Sequence, residues 1–182
     1  GEPYLFFEDN VNKNLCDLYK KEDLKVTFSN LCSEILLNVT ENKTAVCCLS
    51  SINLEKYDEW KDDELFIEDL MYFLDGVLIQ YEEKLEQSPE WKKPFLRRVI
   101  NFVKEERAVG LGVMGWHSLL QLKHIPFESP MAKGLNLKIF KSLQEETNKA
   151  SIKIAKEYIY NAINQAPNFG KGNGPINHIL ES

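Results

Sequence analysis

Ser29-Asn30-Leu31-Cys32-Ser33-Glu34-Ile35, followed by Ala45-Val46-Cys47-Cys48-Leu49, is the stretch on which the reading of this 182-residue chain turns. It sets an amide, a thiol and a carboxylate at alternate positions, with a second thiol about one strand and turn later. If residues 30–34 are extended, a period of two puts Asn30, Cys32 and Glu34 on one face. Three such groups side by side suit a reaction site better than a core. A thiol can give up a hydrogen atom as well as a proton. A nearby carboxylate can accept a proton from a substrate hydroxyl, and an amide can hold a hydroxyl by donating or accepting. The bland alternatives are a buried core thiol at Cys32 and an exposed, ion-paired strand residue at Glu34. Cys47 and Cys48 would point to opposite faces of a strand, so only one can share the face of Cys32. A disulfide between such neighbours would be strained.

Working outward, composition describes a soluble globular chain, with 43% hydrophobic and 27% charged residues. The length suffices for one domain with a real core. A net charge of −6 favours neither nucleic acid nor an anionic membrane as partner, but leaves room for a single nucleotide. No apolar run reaches the roughly 20 residues of a membrane span. Gly1-Glu2-Pro3 lacks the basic and apolar parts of a signal peptide, so reduced thiols in a cytoplasmic protein are expected. The four cysteines, Cys16, Cys32, Cys47 and Cys48, form no CxxC pair, and no metal site is expected. Asn38-Val39-Thr40 and Asn42-Lys43-Thr44 fit a glycosylation pattern but read as accidents of composition.

The order of elements is α/β or α+β in character. Residues 1–54 read as strands and the site loop, with Tyr4–Phe7 and Thr44–Leu49 as strand candidates. Asp9–Asn14 reads as turn chemistry with a short helix from Asn12, and Asn38–Lys43 as a loop. Residues 62–166 read as mainly helical. From Asp62, Phe66, Leu70, Phe73, Leu74, Val77, Leu78, Tyr81 and Leu85 recur at helical spacing, up to Gln87-Ser88-Pro89. Pro94 opens the next helix with Phe95, Val99, Phe102 and Val103 inward. Ala108–Val113 is a small-residue strand or turn and Gly115–His124 a short helix. Ser129-Pro130 caps a long helix with Leu135, Ile139, Leu143, Ala150, Ile154 and Tyr158 on one face. Residues 167–182 form a glycine-rich tail. Too few strands are visible for a self-sufficient sheet, so part of a larger sheet or barrel is expected.

Gly110-Leu111-Gly112-Val113-Met114-Gly115 spells the dinucleotide fingerprint. A proper strand ahead of it is missing, and Glu128, about 20 residues on, follows Pro126 in a turn instead of ending a second strand. Close packing at a strand-to-helix turn is the better reading, and a nicotinamide oxidoreductase the weakest functional one. His117 and His124 read as surface or packing residues. Lys92-Lys93 and Arg97-Arg98 read as a solvated helix face.

Ser29–Ile35 with Ala45–Leu54 closely resembles the large, catalytic subunit of class I ribonucleotide reductase. Gly1–Phe7, Asp9–Asn12, Arg107–Gly115 and the helix Leu135–Glu157 are similar to further segments of that family. The resemblance implies a fold: part of a ten-stranded α/β barrel, its long helices packed on a partial sheet. It also implies a chemistry. Cys32 would carry the thiyl radical that takes the 3′ hydrogen atom of a ribonucleotide, Glu34 would accept the 3′-hydroxyl proton, and Asn30 would hold the sugar hydroxyls. Residues Asn30, Leu31, Cys32, Ser33 and Glu34 would line the substrate. Cys47 would be one thiol of the pair that reduces the 2′ carbon, and Cys16 and Cys48 match no functional position.

The second thiol of that pair, the radical-transfer tyrosines, the C-terminal thiols, the effector domain and the phosphate loop have no counterpart here. The resemblance therefore implies one piece of a ribonucleoside-diphosphate reductase, inactive alone and assembled with the remaining segments of the large subunit. It implies no cofactor on this chain, a radical from a metal-containing small subunit, and an external dithiol of thioredoxin or glutaredoxin type. The alternative is a non-catalytic, reductase-derived binding or regulatory fragment.

Overall fold

The computed structural model describes residues 4–165; the glycine-rich tail lies outside them. Its elements run α1 (Glu8–Lys13), α2 (Asp17–Lys21), β1 (Leu49–Asn53), α3 (Tyr57–Trp60), α4 (Phe66–Glu86), α5 (Lys93–Glu105), β2 (Gly110–Met114), α6 (Trp116–Leu122) and α7 (Pro130–Gln165). Two compact units interleave along the chain. One takes residues 1–47 and 79–108, the other 48–78 and 109–182.

The second unit holds the sheet. β1 and β2 pair in parallel, Leu49 opposite Gly110 and Ile52 opposite Val113. A parallel pair needs a long crossover, and the segment between Asn53 and Gly110 supplies it. Below the sheet, Leu54, Tyr57, Leu119 and Ile139 form a closed apolar cluster with Trp60, Val113, Trp116, Leu135 and Leu143 around it. The turn after β2 is tight. Gly115 has φ +75°, and a Cβ there would lie 2.5 Å from Asn53 Oδ1 and 3.0 Å from the Glu55 nitrogen. Gly110 and Gly112 lie inside the strand itself, Gly110 close against the Leu49 side chain, so the fingerprint glycines build no phosphate loop. The long helix starts as expected, with Ser129 Oγ accepting from the Ala132 N–H at 3.2 Å. Ile139 and Ala150 are buried along the expected face.

Four expectations need correction. Tyr4–Phe7 forms no strand, and Tyr4, Leu5 and Phe7 are exposed. A strand needs a neighbour for its backbone groups, and none pairs with this segment among the described residues. The candidate Thr44–Leu49 is displaced: the strand begins at Leu49 and runs to Asn53, while the Thr44 N–H is taken by the Arg98 carbonyl at 3.1 Å. Finally, α4 buries Ile67, Met71, Leu74, Leu78 and Leu85, whereas Phe73, Val77 and Tyr81 are exposed. Leu74, Leu78 and Leu85 are thus covered as expected, while packing turned Phe73, Val77 and Tyr81 of the wide apolar arc outward and took in Ile67 and Met71. Phe95, at the start of α5, is likewise exposed, while Ile100, Phe102 and Val103 are buried.

Surface charge in the second unit is organised around Asp58. Its carboxylate accepts from Lys123 Nζ at 2.6 Å and Lys61 Nζ at 2.7 Å. These hydrogen bonds, that from Lys123 first, hold the Asp58 carboxyl down at about 2, below the ordinary 3.8. A lowered carboxylate stabilises the fold above its ordinary value and loses that contribution as pH falls through the folded value. Asp58→Asn is therefore expected to flatten acid unfolding between pH 3.8 and about 2, measured by circular dichroism against the parent chain. An unchanged acid limb would show that the two lysines do not hold Asp58 in solution.

Candidate active site

The chemistry-bearing segment lies in the first unit, on a loop tied at its base. Asn12 of α1 grips Val26 twice: its Nδ2 donates to the Val26 carbonyl at 2.8 Å and its Oδ1 accepts from the Val26 N–H at 3.0 Å. On the returning limb, Asn38 Nδ2 donates to the Lys25 carbonyl at 2.6 Å, and the Asn38 N–H donates to the Tyr19 hydroxyl at 3.1 Å. Burial pushes the Tyr19 hydroxyl above its ordinary value, against the opposing pull of the Asn38 N–H. Beyond Asn38 a tight turn pairs Thr40 with Lys43. That turn docks on α5. Arg98 donates to the Thr40 carbonyl at 2.9 Å and Asn101 to the Asn42 carbonyl at 3.1 Å. Lys43 reaches Glu105 at 2.7 Å and Glu106 at 3.0 Å. Burial works against the Lys43 ammonium, but those two carboxylates outweigh it and raise its value.

At the tip, Asn30 organises the loop. The Ser33 N–H donates to the Asn30 carbonyl at 3.1 Å, closing a turn with Leu31 and Cys32 at its centre. Ser33 has φ +67°. Asn30 Oδ1 accepts from the Ile35 N–H at 3.0 Å, and Asn30 Nδ2 donates to Glu34 Oε1 at 2.8 Å. Residues 30–34 are thus no strand, which corrects the assumed alternation. A side chain that satisfies nearby backbone groups competes with sheet pairing, and here it wins. The turn still brings the amide and the carboxylate together, by hydrogen bond in place of a shared pleat. Cys32 is exposed on that turn, and Leu31 beside it is 86% exposed.

Cys47 is also exposed. Desolvation first, then the negative field of Glu34, raise its thiol above the ordinary value. The second thiol therefore feels the carboxylate at the loop tip. Cys48 is buried, its S–H 3.6 Å from the Leu74 carbonyl. Cys16 caps the start of α2 and is exposed. Among the described residues no group of His, Cys, Asp and Glu could hold a metal ion, and no helix is long and apolar enough to cross a membrane. Asn12, Tyr19, Asn38 and Arg98, which hold the loop, carried no signal of that role. Their partners are mainly backbone atoms far away in sequence, which leave no local pattern.

The field of Glu34 gives a direct test. Glu34→Gln removes the negative charge, so the Cys47 thiolate becomes more populated near neutrality. Alkylation of Cys47 by iodoacetamide at about pH 8, followed by mass spectrometry at each thiol, is expected to be faster in the variant. A rate equal to the parent's would place Glu34 too far from Cys47 to act on it.

A thiol on a turn beside an amide and a carboxylate, in a chain that also pairs parallel strands, defines a thiol-bearing α/β protein. The chain matches the family described as ribonucleotide reductase, barrel domain, over residues 1–169, and it belongs to that family. The ribonucleoside-diphosphate reductase large subunit of Invertebrate iridescent virus 3 is 37% identical over 156 residues, covering 86% of this chain and 24% of that protein. The corresponding subunit of Invertebrate iridescent virus 6 is 50% identical over 115 residues, covering 63% of this chain and 11% of its own length. Among solved structures, the Actinobacillus ureae class Id ribonucleotide reductase alpha subunit superimposes with a TM-score of 0.76 at 49% identity, over 86% of this chain and 29% of that one. The helix-rich architecture with a small parallel sheet is that of part of the α/β barrel. The chain spans about a quarter of the length of the curated relatives it matches.

Proposed function

We propose that this chain carries the reaction loop of a ribonucleoside-diphosphate reductase large subunit and works when assembled with the subunit's remaining segments. The observation that carries the reading is the loop tip. Cys32 is displayed on a turn closed by Asn30, whose amide is hydrogen-bonded to Glu34, while Glu34 acts electrostatically on Cys47. A metal-containing small subunit supplies the radical. Cys32, as thiyl, takes the hydrogen atom from the ribose 3′ carbon and becomes a thiol. Glu34 takes the 3′-hydroxyl proton, oriented by Asn30, and the 2′-hydroxyl leaves as water with a proton from the Cys47 thiol. Cys47 and a second thiol outside this chain supply two electrons, the second thiol's proton goes to the 2′ carbon, and the pair ends as a disulfide. Cys32 then returns its hydrogen atom to the 3′ carbon, Glu34 returns its proton to the 3′ oxygen, and Cys32 is again a thiyl. An external dithiol of thioredoxin or glutaredoxin type reduces the disulfide for the next turnover.

The arrangement of charge supports the order of these steps. A carboxylate already accepting from an amide is placed to receive a proton, and desolvation first, then the same negative charge, favours the thiol form of Cys47. The site must be closed against water in the working enzyme, since a thiyl radical is quenched by solvent-borne reductants. The exposed Leu31 and Cys32 are what such a closure would cover. The test is reconstitution with the remaining large-subunit segments and a radical-bearing small subunit, measuring deoxyribonucleotide formation from a ribonucleoside diphosphate. Tight assembly without turnover, with the other chains proven active, would favour the non-catalytic binding fragment instead.

A further inference from the structure

We propose that Asn38 and Tyr19 are positioning residues for Cys32, forming a clasp that fixes the height and direction of the reaction loop. The inference rests on the role given to Cys32 above, but its geometry is separate. Lys25 and Asn38 are 13 apart in sequence, and the Asn38 amide joins them at 2.6 Å. The main chain of Asn38 is held in turn by the Tyr19 hydroxyl on α2. With Asn12 gripping Val26 from α1, both limbs of the loop are fastened at one level to the same pair of short helices. Everything from Thr27 to Leu37, the Asn30 turn included, stands above that fastening.

The cost of the clasp argues that it does more than fill space. Asn38 is only 5% exposed, and its Oδ1 has no hydrogen-bond partner among the described residues. A buried, unsatisfied acceptor is destabilising, and an apolar side chain would pack at such a point without that loss. What an apolar residue could not do is tie the Lys25 carbonyl across the loop base. Val26, the residue next to that carbonyl, is completely buried, so a shift there must be relayed to the tip and cannot be absorbed locally. Reactions of this kind depend on atoms held near the geometry of attack, and a displacement of about 1 Å from a remote change can cost about 100-fold.

The experiment uses the assembled enzyme carrying Asn38→Ala or the milder Tyr19→Phe. kcat for deoxyribonucleotide formation is expected to fall about 10- to 100-fold with KM unchanged. Amide hydrogen exchange at Ser33 and Ile35, whose N–H groups are bonded to Asn30 at the tip, is expected to quicken about tenfold. Val103→Ala, a buried change on α5 in the same unit, serves as a control for general loosening and is expected to leave kcat and tip exchange unchanged. Parent-like kcat and tip exchange in both clasp variants would overturn the proposal, as would equal losses in Val103→Ala. If Cys32→Ser retains turnover, the preceding reading fails, and tip exchange alone then decides whether the clasp sets the loop.

Discussion

Cys32→Ser, introduced into the assembled enzyme, is expected to abolish deoxyribonucleotide formation, with a loss of at least about 10⁴-fold or ~5.5 kcal/mol of barrier. The size follows from the chemistry assigned to the sulfur. A serine hydroxyl holds its hydrogen too strongly to exchange it with a sugar carbon, so the variant lacks the step rather than slowing it. The loop itself should survive the change. Cys32 is exposed at the centre of a turn whose hydrogen bonds come from Asn30, Ser33 and Ile35. Substrate binding and subunit assembly are therefore expected to match the parent, measured by equilibrium binding of a ribonucleoside diphosphate and by sedimentation. Turnover at the parent rate in the serine variant would remove Cys32 from the mechanism altogether.

The second large effect concerns stability and the turn that follows β2. Gly115→Ala is expected to destabilise the second unit by about 2–4 kcal/mol. Part of that is the left-handed backbone, which an L side chain occupies at a cost of roughly 1–2 kcal/mol. The remainder is overlap: the new methyl group would sit 2.5 Å from Asn53 Oδ1 and 3.0 Å from the Glu55 nitrogen. Those two atoms are hydrogen-bonded to each other at 3.0 Å, and one is main chain, so the collision cannot be relieved by a rotamer change. Gly76→Ala provides the contrast. It lies within α4 with nothing within 4 Å of an added Cβ, and is expected to stabilise by roughly 0.5–1 kcal/mol. Urea denaturation midpoints would compare the two, and a neutral Gly115→Ala would mean that the turn yields to an added methyl group.

Much of the helical layout was legible because it is local. The Ser129 cap, the proline at the start of α5 and the stripe through Ile139 and Ala150 are written in side chains a few positions apart. What spacing could not decide was which of two apolar stripes on α4 would be covered, since Phe73 and Leu74 are both apolar and only packing distinguishes them. The strands were harder still. β1 exists because β2 lies beside it, and the two are separated by the whole of α3, α4 and α5. At the candidate site the residue types were legible but their geometry was not. Asn30 and Glu34 do lie together, yet through a turn built on Asn30 and a left-handed Ser33, which a period of two does not describe.

The docking of the Thr40–Lys43 turn on α5 has a consequence for biosynthesis. Arg98 and Glu106 stand 58 and 63 positions after the partners they hold. At a translation speed of about 5–20 residues per second, roughly 3–13 seconds separate the emergence of the turn from that of its support. During that interval the newborn turn lacks its partners, and the loop carrying Cys32 is fastened only at its α1 and α2 end. A chaperone seated there during translation would keep the half-tethered loop from wrong contacts until its support emerges.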